Sequence, residues 1–234
     1  LDRDALCLEE GLAMEDLIQQ FFNVDIMMQT WPLMLRGLGM TLLLCAIVIP
    51  LGALAGLLVA VAGLSRSLAG RIAMRIYVDF FRAIPPLVLL IFIYSALPFA
   101  GINLSPLTAV VIAFTLNTSS FYGEIFRAGI ESVGQGQWHA ARATGLTAAQ
   151  TLGHVIIPQA ARNVLPDLAS NTLEVMKLTA LASVVSFAEL LYSADMARSV
   201  TYNATPIVMA AALYLVIMWP LVRLAGRLEH RIAT

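Results

Sequence analysis

The side chains in this sequence that could do chemistry are few, and they fall at helical spacings. Asp79 and Arg82, Glu124 and Arg127, and Glu174 and Lys177 are each three residues apart, which places both members of a pair on one helix face. All three pairs lie in apolar surroundings, where a charge is costly unless it is neutralised or used. Two readings fit them: local pairing that anchors structure, or a polar site that meets a charged solute. Asn117, Thr118, Ser119 and Ser120 are consecutive, and Asn171, Thr179 and Ser183 bracket the Glu174–Lys177 pair. Small hydroxyls among apolar helices often serve packing alone, whereas the amide of Asn117 can hold a carboxylate or an ammonium. The candidate solute contacts are Asn117, Ser120, Asn171, Glu174 and Thr179.

Covalent catalysis is not indicated. His139, His154 and His230 all stand outside the apolar segments, so no nucleophile–base or metal set forms within them. Cys7 and Cys45 lie in unlike contexts, an acidic stretch and an apolar run, which argues against a disulfide framework or a metal site. No glycine-rich phosphate loop followed by Lys-Ser or Lys-Thr occurs. Neither catalytic residues nor a bound cofactor or metal is expected in this chain.

The elements that must position the polar groups follow from composition. Of 234 residues, 59% are hydrophobic and only 12% charged, with a mean hydropathy of +0.82. Soluble domains carry about 25% charged residues, so lipid is the expected solvent. The net charge of −1 is dispersed, without the basic run that nucleic acid would require. Five apolar segments, at about 37–64, 76–99, 107–130, 165–191 and 207–224, meet the roughly 17–25 residues a membrane-spanning helix needs. Pro85-Pro86 is expected to break or bend the second and to free carbonyls that must then face protein or water.

Arginines set the expected orientation. Arg66, Arg71 and Arg75 follow the first segment and Arg223, Arg227 and Arg231 close the chain, whereas the link "PFAGINLSP" is uncharged and residues 1–36 are acidic. The expectation is an outside segment over 1–36, a transmembrane domain over 37–230 and a cytoplasmic tail over 231–234. Residues 1–13 lack a signal-peptide pattern, and Met14 is a candidate start.

Residues 134–158 lie between the third and fourth segments, hence in the cytoplasm, and read as a hairpin of two short helices. "QWHAARAT" ends at Gly145, suited to the left-handed conformation that closes a helix. Thr147 and Gln150 fit a capping box, and Pro158 is expected to stop the second helix. Ala140, Ala141 and Ala143 leave a thin face that another protein could approach.

The spacing His139-Ala140-Ala141, three residues, Gly145, nine residues, Val155-Ile156-Ile157-Pro158 resembles the Glu-Ala-Ala motif of the membrane subunits of bacterial ABC importers. "YVDFFRAIPPLVLLIFIY", "LNTSSFYGEIFRAGIESV" and "PQAARNVLPDLASNTLEVMKLTALASVV" are similar to the branch that imports polar amino acids and opines, over about residues 33–230. The chain departs at His139, where the family usually has Glu, and at Leu178, where an acidic or amide residue often follows the lysine. The resemblance implies an all-α integral membrane protein of about five transmembrane helices with a MetI-like fold. It implies that Trp138, His139, Ala140, Ala141, Arg142, Gly145 and Pro158 couple the chain to an ATPase, and that the partner uses ATP and Mg. The implied partners are two ABC ATPase subunits, a second permease subunit, identical or homologous, and an external solute-binding protein. Function would be alternating-access import of a polar amino acid or opine-like solute at the bacterial inner membrane. A secondary transporter of a small polar solute is the alternative reading.

Overall fold

The structure, a computed structural model, describes residues 15–63 and 67–233, with side chains through residue 227. Cys7, Met14 and Arg66, and the side chains of His230 and Arg231, lie outside the described residues, as do residues 1–13. The described secondary structure is helical throughout. After a short helical stretch at 15–21, the helices are α1 (Val24–Gly63), α2 (Leu68–Ala83), α3 (Pro86–Ala96), α4 (Pro106–Ser132), α5 (Gln135–Ala143), α6 (Ala148–Thr151), α7 (Ile157–Leu178), α8 (Leu190–Thr201) and α9 (Thr205–Ala233). By length and apolarity, two helices among the described residues can cross a membrane unbroken, at Glu15–Gly63 and Thr205–Arg227. Up to four can do so if each of two bent pairs is one span.

α1 is longer than the apolar run suggests. Its 40 residues extend about 60 Å at 1.5 Å per residue, beyond the ~30 Å of a hydrocarbon core. It begins at Val24 rather than near residue 37, so the expected boundary at 36 falls inside a helix.

The described residues form two compact units. In one, made of the chain up to Leu43 with Thr179–Trp219, Met34, Leu190, Ala194, Ala197, Met209 and Ala210 form the core. The fourth apolar run does not continue as one helix. After α7 the chain tightens into a 3-10 stretch, Thr179–Val185, and turns at Ser186 with φ +59°. α8 then starts afresh under the cap of Glu189, whose carboxylate is fully buried and accepts from the Leu191 N–H (2.8 Å), the Tyr192 N–H (2.7 Å) and the Tyr214 hydroxyl (2.9 Å). Three donors satisfy the oxygens of a carboxyl group that would otherwise be costly to bury in such surroundings.

The second unit, Leu44–Leu178 with the chain from Pro220, is organised around α4. α2, α3 and α7 all pack on it. This explains why α4, 27 residues long, carries the polar run Asn117–Ser120: those four residues are buried against protein and not in lipid. Glycines permit the closest approaches. A Cβ on Gly56 would meet the Tyr122 Cβ at 2.6 Å, the Gly123 nitrogen at 2.8 Å and the Ser119 carbonyl oxygen at 3.0 Å. Gly52, one turn earlier on the same face, lies against Thr118. This is the small-xxx-small pattern by which membrane helices approach closely.

Pro85-Pro86 does break the second segment: α2 and α3 meet at 96°. Pro85 cannot donate to the Phe81 carbonyl, nor Pro86 to that of Arg82, because proline has no N–H. Pro158, by contrast, does not end its helix, contrary to the sequence expectation. The chain stays helical from Ala148 to Leu178 through a π turn at Leu152–Ile156, in which the Ile157 N–H reaches the Leu152 carbonyl. The wider turn ahead of the ring, with Pro158 second in α7, accommodates it without a break.

Candidate functional site

The hairpin has the local geometry its sequence implies. α5 ends with Gly145 at φ +87°, a left-handed residue on which a side chain would be strained. Thr147 caps α6 as a complete capping box: its Oγ1 accepts from the Gln150 N–H at 3.3 Å, and the Thr147 N–H donates to Gln150 Oε1 at 2.9 Å. Arg142 Nη1 donates to the Leu146 carbonyl at 2.8 Å, tying the turn across.

The two faces of α5 differ. Trp138 packs against a cluster of Val133, Ile156 and Ala160, and Ala141 is buried at 6% exposure. His139, Ala140, Arg142 and Ala143 are exposed. A polar groove of about 510 Å3 lies at the base, lined by Gly134, Gln137, Gln159 and Arg162 among others. Of the seven residues expected to couple the chain to a partner, Trp138 and Ala141 thus turn inward and hold the hairpin to its own bundle. His139, Ala140 and Arg142 point outward, Gly145 shapes the turn, and Pro158 lies inside a continuous helix.

The polar residues of the bundle divide in the same way. Asn117 Nδ2 donates to the Phe81 carbonyl at 3.0 Å, the group that Pro85 leaves without a next-turn donor. Ser120 Oγ bonds back to the Asn117 carbonyl at 2.6 Å, and Tyr77 reaches Ser119 Oγ at 2.7 Å. Tyr122 pairs with Thr172 Oγ1 at 2.8 Å, and Asn171 lies near the same phenol with its Nδ2 buried and unpartnered. Glu174 and Lys177 pair with each other at 2.6 Å, both exposed. Thr179 is fully buried at the start of the 3-10 stretch. Arg127 bridges Glu124 and Glu131. No local pair forms between Asp79 and Arg82 among the described residues; the Arg82 guanidinium lies 5.2 Å from the Phe121 ring centroid. Sequence reasoning missed the buried Glu189, whose signal is an acid directly before a helix that opens on two leucines, and the Gly52–Gly56 repeat.

An Asn117→Leu exchange should therefore act on the fold. Leaving the Phe81 carbonyl buried and unpaired costs about 1–3 kcal/mol. The expected result is less assembled protein and an unchanged uptake constant per assembled complex, read from size-exclusion yield beside vesicle uptake.

Residues 48–234 match the family of binding-protein-dependent transport system inner membrane components. The chain belongs to this family. The probable glutamine ABC transporter permease GlnM of Bacillus subtilis is 35% identical over 90% of this chain and 98% of its own length. The L-cystine transport system permease TcyB of the same species is 34% identical over 93% of this chain and 90% of its own length. A crystal structure of an amino acid ABC transporter with histidines aligns at TM-score 0.83 and 38% identity, over 88% of this chain and 96% of that one. An inward-facing MetNI methionine transporter, at 20% identity and TM-score 0.71, shares the fold, over 86% of this chain and 96% of that one. This member of the family is an ABC importer permease, a multi-pass inner-membrane protein. It is not itself an enzyme: ATP hydrolysis belongs to a partner subunit, and a solute-binding protein is the second kind of partner.

Proposed function

We propose that the chain is one of two permease subunits that import a polar amino acid, or a related opine-like solute, together with two ATPase subunits and an external solute-binding protein. ATP with Mg is hydrolysed in the ATPase subunits, and the resulting motion alternates access to a pathway through the permeases. The observation that carries this reading is the two-faced α5. Its exposed side, with the groove at its base, suits a helix-in-groove contact with an ATPase. Its inward side and the unbroken helix from Ala148 to Leu178 make it rigid with the bundle. The solute class is supported by the amino-acid names of the relatives. Asn171 and Glu174 are the solute contacts favoured from the sequence-derived set, because Asn117, Ser120 and the buried Thr179 are held in the fold. The N-terminus is outside and the C-terminus cytoplasmic.

The test is uptake of labelled amino acids into vesicles carrying the whole complex and loaded binding protein. Uptake that requires ATP is expected; uptake driven by an ion gradient without ATP would instead establish the secondary transporter. In a background lacking Cys7 and Cys45, single cysteines at Asn103 and Thr144 should label from opposite membrane faces. Labelling of both from one side would overturn the orientation.

A further inference from the structure

Three charged pairs with three-residue spacing close on themselves: Glu124 with Arg127, Glu174 with Lys177, and Asp195 with Arg198. Asp79 and Arg82 have the same spacing and do not. Both side chains are exposed, and among the described residues neither forms an ion pair. Phe121 seats the Arg82 guanidinium 5.2 Å from its ring centroid, and the acid within electrostatic reach of it, Glu124, is already committed to Arg127.

Their position is unusual as well. They end α2 where it meets α3 at 96°, in a helix pair long and apolar enough together for a broken membrane span or a re-entrant loop. Of the two carbonyls that Pro85 and Pro86 deprive of next-turn donors, Asn117 takes up that of Phe81. No described side chain plays that part for the Arg82 carbonyl. α3, eleven residues long, opens at Pro86, so the positive end of its dipole lies at the same bend. A helix break in a membrane protein is tolerated where it lines a cavity or meets protein, and transporters place solutes at such breaks.

We propose that this break binds the head group of a zwitterionic α-amino acid. The Arg82 guanidinium takes the carboxylate, and the Asp79 carboxylate with the Arg82 carbonyl takes the ammonium. This deepens the import reading and rests on it. Each charge then gains a direct ion pair only when the solute is present, which suits a site that must fill and empty. The side chain of the solute is left for other residues to recognise.

The experiment uses the whole complex in vesicles, with the twenty radiolabelled L-amino acids and L-cystine as probes and binding protein at saturation. Wild type identifies the transported species, and the same species is then measured in Arg82→Gln, Asp79→Asn and Arg82→Lys. Uptake per assembled complex should fall about tenfold or more in the first two, the loss expected for one charge-assisted hydrogen bond. Arg82→Lys should fall between, because lysine keeps the charge but not the bidentate fork. Hydrolysis of ATP stimulated by loaded binding protein should persist in all three. Unchanged uptake in Arg82→Gln and Asp79→Asn would overturn the site while leaving the import reading standing. Joint loss of uptake and stimulated hydrolysis in all three variants, Arg82→Lys included, would show that the pair supports folding or coupling, and would overturn the site too. A wild-type complex that moves none of the probes would overturn the amino-acid form of the import reading, and the site with it.

Discussion

Gly56→Leu is expected to abolish accumulation of the folded permease, whereas Gly39→Ala in the same helix leaves it unchanged or raises it slightly. The contrast comes from what each new carbon meets. At Gly56 the neighbours are largely backbone, the Gly123 nitrogen at 2.8 Å and the Ser119 carbonyl at 3.0 Å, and backbone cannot rotate away. α1 and α4 must separate, breaking contacts along the crossing. Overpacking of a tight site costs about 1–3 kcal/mol, and a leucine at a backbone-to-backbone crossing belongs at or above the top of that range. At Gly39 nothing stands within 4 Å, so the only change is the gain in helix propensity, about 0.5–1 kcal/mol. Thermal challenge in detergent followed by size exclusion would rank the two. Equal survival would show that the α1–α4 crossing is looser than its geometry.

Trp138→Ala is expected to leave the complex assembled but poorly coupled. The indole is the largest side chain joining α5 to the cluster of Val133, Ile156 and Ala160. Truncating a buried tryptophan costs about 3–5 kcal/mol, and the half-buried Trp138 belongs near or below the lower figure. That loss falls on the attachment of the hairpin and spares the membrane core. ATP hydrolysis should continue while solute moved per ATP drops roughly tenfold or more, a penalty of about 1.4 kcal/mol or above in transmitting the motion. His139→Ala, on the exposed face, should instead weaken ATPase binding and leave the ratio of uptake to hydrolysis unchanged. If Trp138→Ala kept the wild-type ratio, the indole would have no part in transmission.

What the sequence showed depended on whether the cause was local. The bend at Pro85-Pro86, the left-handed Gly145 and the Thr147–Gln150 box each follow from a residue's own covalent chemistry or a neighbour three positions away. α4 was placed to within two residues, 107–130 against Pro106–Ser132, because Ser105 and Pro106 open it and an apolar run follows. The start of α1 was hidden because Asp25, Pro32 and Arg36 resemble a loop, and tertiary packing of Met34 and Gly37 overrides them. The break after Val185 was hidden for the opposite reason: "ASVVSF" is apolar, and only the buried cap of Glu189 shows where a new helix begins. Pro158 misled because the wider π turn ahead of it makes room for its ring inside a continuous helix, and that turn has no sequence mark. The solute residues divided for a similar reason. Polarity at mid-helix identified Asn117 and Ser120 as special, but their partners, Phe81 and the helix's own backbone, depend on the fold.

The π turn at Leu152–Ile156 also fixes an azimuth. An α-helix advances about 100° per residue, so the direction in which α5 leaves the bundle depends on how many residues lie between Gly145 and α7. A π turn carries one residue more than the α turn it replaces, and that residue rotates everything before it relative to everything after. Deleting Gly153, which touches no distant side chain, could restore a regular helix while swinging the outward face of the hairpin by roughly a quarter turn. On the proposed contact with an ATPase, the register of the hairpin is thus set by residue count as much as by residue type. In exchanges of hairpins between permeases, matching the length of this segment matters as much as matching the contact residues.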